Sequence, residues 1–127
     1  MKFFLAFSAA MLVCVSAWSQ KEPQREPNFW MKKKLEFSQH ILSGLATADF
    51  EKIVKSASSM NNLSEIESVT RRTNSEAYRT QLRIFRYANE QLIKEADKKN
   101  IDGATLAFSQ LTLSCVNCHK LLREPAE

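Results

Sequence analysis

The feature that most constrains the fold of this chain is the near absence of glycine and proline after residue 27. From Asn28 onward there are two glycines, Gly44 and Gly103, and a single proline, Pro125. Leu, Ala, Lys, Glu and Gln are abundant, and these residues favour helices at positions that packing does not decide. Short strands need frequent turn residues between them. The sequence therefore predicts a few long helices and an all-α fold class.

Hydrophobic periodicity divides this segment into four predicted helices, A to D. Helix A is expected from an Asn28 cap to about Leu42 or Gly44, and helix B from near Asp49 to about Met60. Helix C is expected from a Ser75 cap to the turn at 98–100, and helix D from Asp102 to the residue before Pro125. Between 60 and 74 the apolar pattern is interrupted, and we expect a short helical turn around 63–69 with polar joints. The A–B and C–D connections are short, so neighbours are expected to be antiparallel. The prediction is an up-down-up-down four-helix bundle.

The predicted core faces follow from a rotation of about 100° per residue. Helix A places on one face Met31, Leu35, Ser38, Leu42 and Leu45, with Trp30, Phe37 and Ile41 alongside. Helix D places inward Leu106, Phe108, Leu111, Cys115, Cys118 and Leu122. The three lysines at 32–34 point around helix A, and we expect them to be solvated.

The first 19 residues are typical of a secretory signal peptide. Lys2 precedes an apolar run at 3–15, and a small-x-small pattern follows at 17–19. The run is shorter than the ~20 apolar residues of a membrane-spanning helix, so we expect cleavage rather than retention as an anchor. Residues 20–27 form a linker, and residues 28–127 form one domain. The mature protein is expected to be periplasmic or secreted, without stable membrane insertion.

Cleavage changes both the cysteine count and the charge. Of three cysteines, Cys14 leaves with the signal peptide and Cys115 and Cys118 remain. Loss of Lys2 lowers the formal charge from +4 to +3. No long basic block is interleaved with aromatic residues, so nucleic-acid binding is not indicated. No constellation of catalytic acid, base and nucleophile is present, and we do not expect an enzyme.

The remaining cysteines belong to the sequence Cys-Val-Asn-Cys-His at 115–119. Cys-x-x-Cys-His is the attachment signature of c-type haem, in which two thiols add to the haem vinyl groups and the histidine ligates iron. On a helix, positions three and four apart lie on the same side. Cys115, Cys118 and His119 would therefore present both thiols and one imidazole to a single covalently bound haem c.

Two other interpretations of the motif are open. A redox-active dithiol or a disulfide also uses Cys-x-x-Cys, but the redox form usually lies where a strand meets a helix, and no strand is predicted here. A zinc site would need a fourth ligand, and the only other histidine is His40.

The position of the motif on the last of four helices resembles the cytochrome c prime superfamily, including its low-spin relatives. The resemblance covers Asn28 to Arg123, and "CVNCHKLLR" matches that family's habit of an arginine four residues after the histidine. It implies that Arg123 lies near the haem edge and helps to position the haem or its propionates. A role for Arg123 at the negative end of the helix dipole is an equal alternative. Relatives often dimerise through helices A and B, which implies a homodimer.

The second axial ligand is predicted from the antiparallel arrangement. The end of helix D should lie beside the start of helix A, where Met31 occupies the inward face. The resemblance agrees, because low-spin relatives carry a methionine ligand on this helix. His40 lies nine residues further along helix A, about 13.5 Å away at ~1.5 Å per residue, and is expected to be solvated. Met60, near the end of helix B, remains an alternative ligand.

These residues predict an exported monohaem cytochrome that acts as an electron carrier, with His119 and Met31 bound to the iron. Its partner would be a redox protein. The alternative function is a gas-binding cytochrome with an open distal site, which the five-coordinate relatives imply. The aromatic residues Phe85 and Tyr87 are expected either to flank the haem or to belong to the core.

Overall fold

The computed structural model describes residues 29–70 and 75–123, which form four α-helices. They are α1 (Phe29–Thr47), α2 (Phe50–Thr70), α3 (Glu76–Asp97) and α4 (Ile101–Arg123). No strand occurs in these two ranges. The all-α prediction is confirmed. The predicted signal peptide, the linker and the Asn28 cap lie outside the described residues.

Polar side chains and two left-handed residues set the helix ends. Ser75 caps α3, since its hydroxyl accepts a hydrogen bond from the backbone N–H of Tyr78 at 3.2 Å. Asn100 caps α4 in the same way through the N–H of Gly103 at 3.1 Å. Ala48 and Lys99 have positive φ angles of 52° and 58° just after α1 and α3. Such residues commonly terminate helices and permit tight turns.

Contacts between helices establish the antiparallel order. Lys34 near the start of α1 pairs with Glu67 near the end of α2. Tyr78 at the start of α3 also bonds Glu67, and Asn89 further along α3 donates to the carbonyl oxygen of Ala57 at 2.7 Å. Successive helices pack closely, whereas α1 and α4 touch only sparsely. The result is an up-down-up-down four-helix bundle with a loosely closed seam between α1 and α4.

The core runs through the middle of the bundle. Its buried apolar side chains are Ile41, Ile53, Ala57, Met60, Phe85, Ala88, Leu92, Ala96, Ala104, Ala107 and Leu111. Alanines dominate the contribution of α3 and α4, and small side chains allow two helices to approach closely. Within the described residues, no helix has the length and hydropathy needed to cross a membrane.

Helix α2 corrects the predicted break after Met60. The helix continues without interruption to Thr70. Ser64 and Glu67 lie four and seven positions after Met60, and all three side chains are buried. The Ser64 hydroxyl donates to the carbonyl oxygen of Met60 at 2.9 Å. The buried face of α2 therefore continues beyond Met60 with polar residues. Hydrophobic periodicity does not detect such a face, and this is why a break was predicted.

The predicted faces of α1 and α4 are also partly wrong. Leu35 and Leu42 are 61% and 58% exposed, and Leu106 on α4 is exposed as well. The buried residues of α1 are Ile41 and Gly44. The backbone at Gly44 approaches α2 so closely that a β-carbon there would lie 2.7 Å from Cγ1 of Ile53. With this face of α1 against α2, Leu35 and Leu42 face outward, whereas Leu45 packs against the core.

Candidate functional site

A cavity lies at the end of the bundle where the start of α1 meets the end of α4. It encloses about 640 Å³, including its open mouth. Side chains from all four helices line it: Met31, Lys34, Glu67, Tyr78, Gln81, Leu82, Phe85, Ser114, Cys115, Cys118, His119 and Leu122. Because α1 and α4 pack only sparsely against each other, the seam between them leaves this space unfilled.

The C-terminal part of α4 presents the three motif residues to this cavity. Cys115 and Cys118 are half-buried free thiols, and His119 is more exposed. They follow the buried face of α4, whose last member, Ser114, bonds the carbonyl oxygen of Leu111 through its hydroxyl at 2.6 Å. Residues three and four apart on a helix are neighbours on its surface. One side of α4 therefore delivers two thiols and one imidazole.

The cavity alters the acidity of both thiols. Burial raises the pKa of Cys115 above its ordinary value, and the nearby Lys34 ammonium opposes this shift. Burial likewise raises the pKa of Cys118, with Lys34 opposing and the Glu67 carboxylate reinforcing the shift. Both groups are therefore thiols rather than thiolates at neutral pH.

Met31 is brought to the same cavity from α1. Of the other candidate ligands, Met60 is fully buried in the core and does not line the cavity, and His40 is exposed on α1 away from it. His40 is solvated as predicted. A thioether, an imidazole and two thiols thus surround one space. Such nitrogen and sulfur donors suit transition metals better than hard cations.

Arg123 ends α4 outside the cavity lining. Its side chain is exposed, and its Nε donates to the backbone carbonyl oxygen of His119 at 3.0 Å. Arginines in the last turn often satisfy carbonyl groups that lack helical partners. In this structure Arg123 therefore contacts the backbone of the histidine rather than the cavity.

Sequence analysis missed the charged part of the cavity wall. Lys34 was expected to be solvated with its neighbours, yet its side chain is only 12% exposed and its Nζ lies 2.5 Å from Oε2 of Glu67, which is 2% exposed. The Tyr78 hydroxyl donates to Oε1 of Glu67 at 3.2 Å. Their burial could have been inferred only from spacing. Lys34 lies three residues after Met31, and Glu67 lies seven residues after Met60.

Phe85 and Gln81 also belong to the cavity wall. Phe85 lines the cavity, and Lys34 Nζ lies 5.1 Å from its ring centroid, within the range of a cation–π contact. Tyr87, the other aromatic residue considered for this role, is 63% exposed and does not line the cavity. The Gln81 side-chain oxygen is buried at the wall without a hydrogen-bond partner. An orphaned polar atom at a cavity is a place where a ligand or water would bind.

Across residues 29–70 and 75–123, no three His, Cys, Asp or Glu side chains are grouped so as to hold a metal ion by themselves. No protein-family model matches the chain, and neither a curated protein nor a solved structure matches it.

Proposed function

We propose that this chain is an exported monohaem c-type cytochrome that carries electrons and catalyses no reaction of its own. Cys115 and Cys118 would hold the haem covalently, and His119 and Met31 would be the axial ligands of the iron. The observation that carries the proposal is that these four side chains, from opposite ends of the sequence, line a single cavity. Their convergence depends on the antiparallel bundle and was expected from it.

The cavity suits such a group in its chemistry. Ligand pockets commonly combine apolar walls with a few polar groups. Leu82, Phe85 and Leu122 supply apolar wall, and the orphaned oxygen of Gln81 marks a place for a polar group. When bound, haem supplies a one-electron Fe(II)/Fe(III) couple whose potential depends on axial ligands and burial.

The chain's own residues would shield and fix the group. The apolar side chains exclude water, which favours small solvent rearrangement during electron transfer. His119 and Met31 lie on long packed helices, so their positions change little. A methionine ligand opposite a histidine raises the reduction potential in cytochromes c.

A redox-active dithiol is less well supported by the same residues. Side chains three apart on a helix have β-carbons about 5–6 Å apart, whereas disulfides need about 3.5–4.5 Å. Reactive cysteines have a lowered pKa, whereas burial raises the pKa of both thiols here. Addition of each thiol to a separate carbon atom requires no approach of the two sulfurs.

Export, the partner and the assembly state belong to the proposal as well. The segment at 1–19 would direct the chain to the periplasm or outside the cell, and a redox protein would exchange electrons with it. Arg123 would then position the haem through the His119 backbone that it contacts. The assembly would be a homodimer through α1 and α2.

An optical spectrum tests the proposal. The chain would be expressed in a bacterial host that matures c-type cytochromes, and its periplasmic fraction recorded oxidised and then reduced with dithionite. We expect a haem Soret band that sharpens and shifts on reduction, together with α and β bands. The Cys115→Ser, Cys118→Ser double variant is the control and should lack them. A wild-type protein without haem absorption would contradict the proposal.

A further inference from the structure

Three polar side chains, one each from α1, α2 and α3, meet at the wall of the cavity. The Lys34 ammonium pairs with Glu67, and the Tyr78 hydroxyl bonds the other oxygen of the same carboxylate. Glu67 is almost fully buried and Lys34 nearly so. We call these three residues the Glu67 network. Its members all line the cavity that also holds Met31 and the motif residues.

Stability alone is a weak explanation for such a network. Burying a charged pair costs desolvation energy, and well-packed apolar residues in its place are often equally stable. Removing one partner, by contrast, leaves a buried charge and is strongly unfavourable. The pair therefore links the positions of two helices tightly, whatever its net contribution to folding.

The helices that it links include the one that carries Met31. Lys34 lies one turn after Met31 on the same side of α1. On its other flank, α1 packs only sparsely against α4. The first turns of α1 are thus held largely through α2, and the Lys34–Glu67 pair is a buried contact at that point.

We propose that the Glu67 network is a positioning element that holds Met31 in place as the iron ligand. The inference rests on the proposed cytochrome function and adds to it a set of residues that are neither iron ligands nor attachment cysteines. Weakening the network should release the start of α1 and let Met31 leave the iron.

The test compares two glutamate variants of the haem-loaded protein. Glu67→Gln keeps the size and hydrogen-bonding capacity of the side chain but removes the charge facing Lys34. Glu36→Gln is the control, because Glu36 forms an exposed pair with Lys33 at 2.7 Å on the same helix. In Glu67→Gln we expect the near-infrared sulfur-to-iron band to weaken. If the fraction of molecules in which Met31 has left the iron increases tenfold, carbon monoxide should bind about tenfold faster. The control should match wild type.

A rescue and a haem-independent readout complete the test. The double variant Lys34→Gln, Glu67→Gln replaces the ion pair with an uncharged hydrogen-bonded pair. It should recover most of the intensity of the near-infrared band. Hydrogen exchange at residues 32–38 should be faster in Glu67→Gln than in wild type, with recovery in the double variant. If exchange accelerates while the band and the carbon monoxide rate stay at wild-type values, the network is only structural and the inference is wrong. Absence of haem from the wild-type protein would instead refute the proposed function itself.

Discussion

At the scale of single residues, Met31 distinguishes a closed iron site from an open one. It lines the cavity with His119, and it is half-buried rather than enclosed in the core. A methionine at the wall of the cavity would place its sulfur beside a metal bound there. Met60, by comparison, is fully buried and packed on all sides. Substitutions of these two methionines should therefore have different effects on the iron.

Replacing Met31 with Ala should convert the iron from six-coordinate low spin to a form that is open to exogenous ligands. We expect loss of the near-infrared sulfur-to-iron band, faster carbon monoxide binding and a lower reduction potential, because a soft ligand that favours Fe(II) is gone. The bundle should persist with a loss of about 2 kcal/mol in unfolding free energy, the lower end for methionine truncation.

The matched control is Met60→Leu, a substitution of similar volume in the core. It should leave the band and the carbon monoxide rate unchanged. Loss of the band in Met60→Leu but not in Met31→Ala would show that Met60, and not Met31, is the iron ligand. A wild-type protein that is already high spin and binds carbon monoxide or nitric oxide at once would favour the gas-binding alternative.

The residues of the site were unequally predictable from sequence. Cys115, Cys118 and His119 follow from spacing within five residues, and Met31 follows from the antiparallel order of two helices. Lys34 and Glu67 are 33 positions apart, and both belong to residue types that are rarely buried. Only tertiary packing brings these two charges together, and their spacing from Met31 and Met60 was the one sign of their burial in the sequence.

At the scale of helices, α1, which carries Met31, packs mainly against α2. Gly44 allows the backbones to approach, since a β-carbon there would meet Cγ1 of Ile53 at 2.7 Å and the backbone oxygen of Asp49 at 3.1 Å. Ile53 is fully buried, so it has little room to move. The register of α1 on α2, and with it the outward position of Leu35 and Leu42, depends on this contact.

Gly44→Ala should therefore destabilise the protein by about 1–3 kcal/mol through overpacking, although alanine is intrinsically the better helix former by ~1 kcal/mol. Urea denaturation followed by circular dichroism measures the change. Gly103→Ala should also destabilise the protein, but for a different reason, because a β-carbon there would lie 2.5 Å from Nδ2 of Asn100 and would displace the side chain that caps α4. A neutral or stabilising Gly44→Ala would contradict the close packing described here.

The helix boundaries could be predicted where the chain carries local signals. Ser75 and the short turn at 98–100 were identified because caps and turn residues act through neighbouring backbone groups. The end of α2 was predicted wrongly, because Ser64 and Glu67 break the apolar pattern while continuing the buried face. Their polarity is explained by hydrogen bonds, one within α2 and others from α1 and α3.

At the scale of the whole molecule, the bundle is closely packed on three sides and only loosely closed on the fourth. Close packing between successive helices contrasts with the sparse contact of α1 with α4, and the cavity lies at this seam. A flat, largely apolar group bound between the first and last helices would lie at this seam. Haem would then contribute to the core as well as to function.

The intact mass of the exported protein tests the central claim most directly. If Cys115 and Cys118 carry a haem, the mass should exceed that of the polypeptide from residue 20 to residue 127 by one haem, and acid-acetone extraction should not remove the excess. The Cys115→Ser, Cys118→Ser variant should show the bare polypeptide mass under the same conditions. A wild-type mass equal to the bare chain, from a host that attaches haem to other c-type cytochromes, would contradict the account.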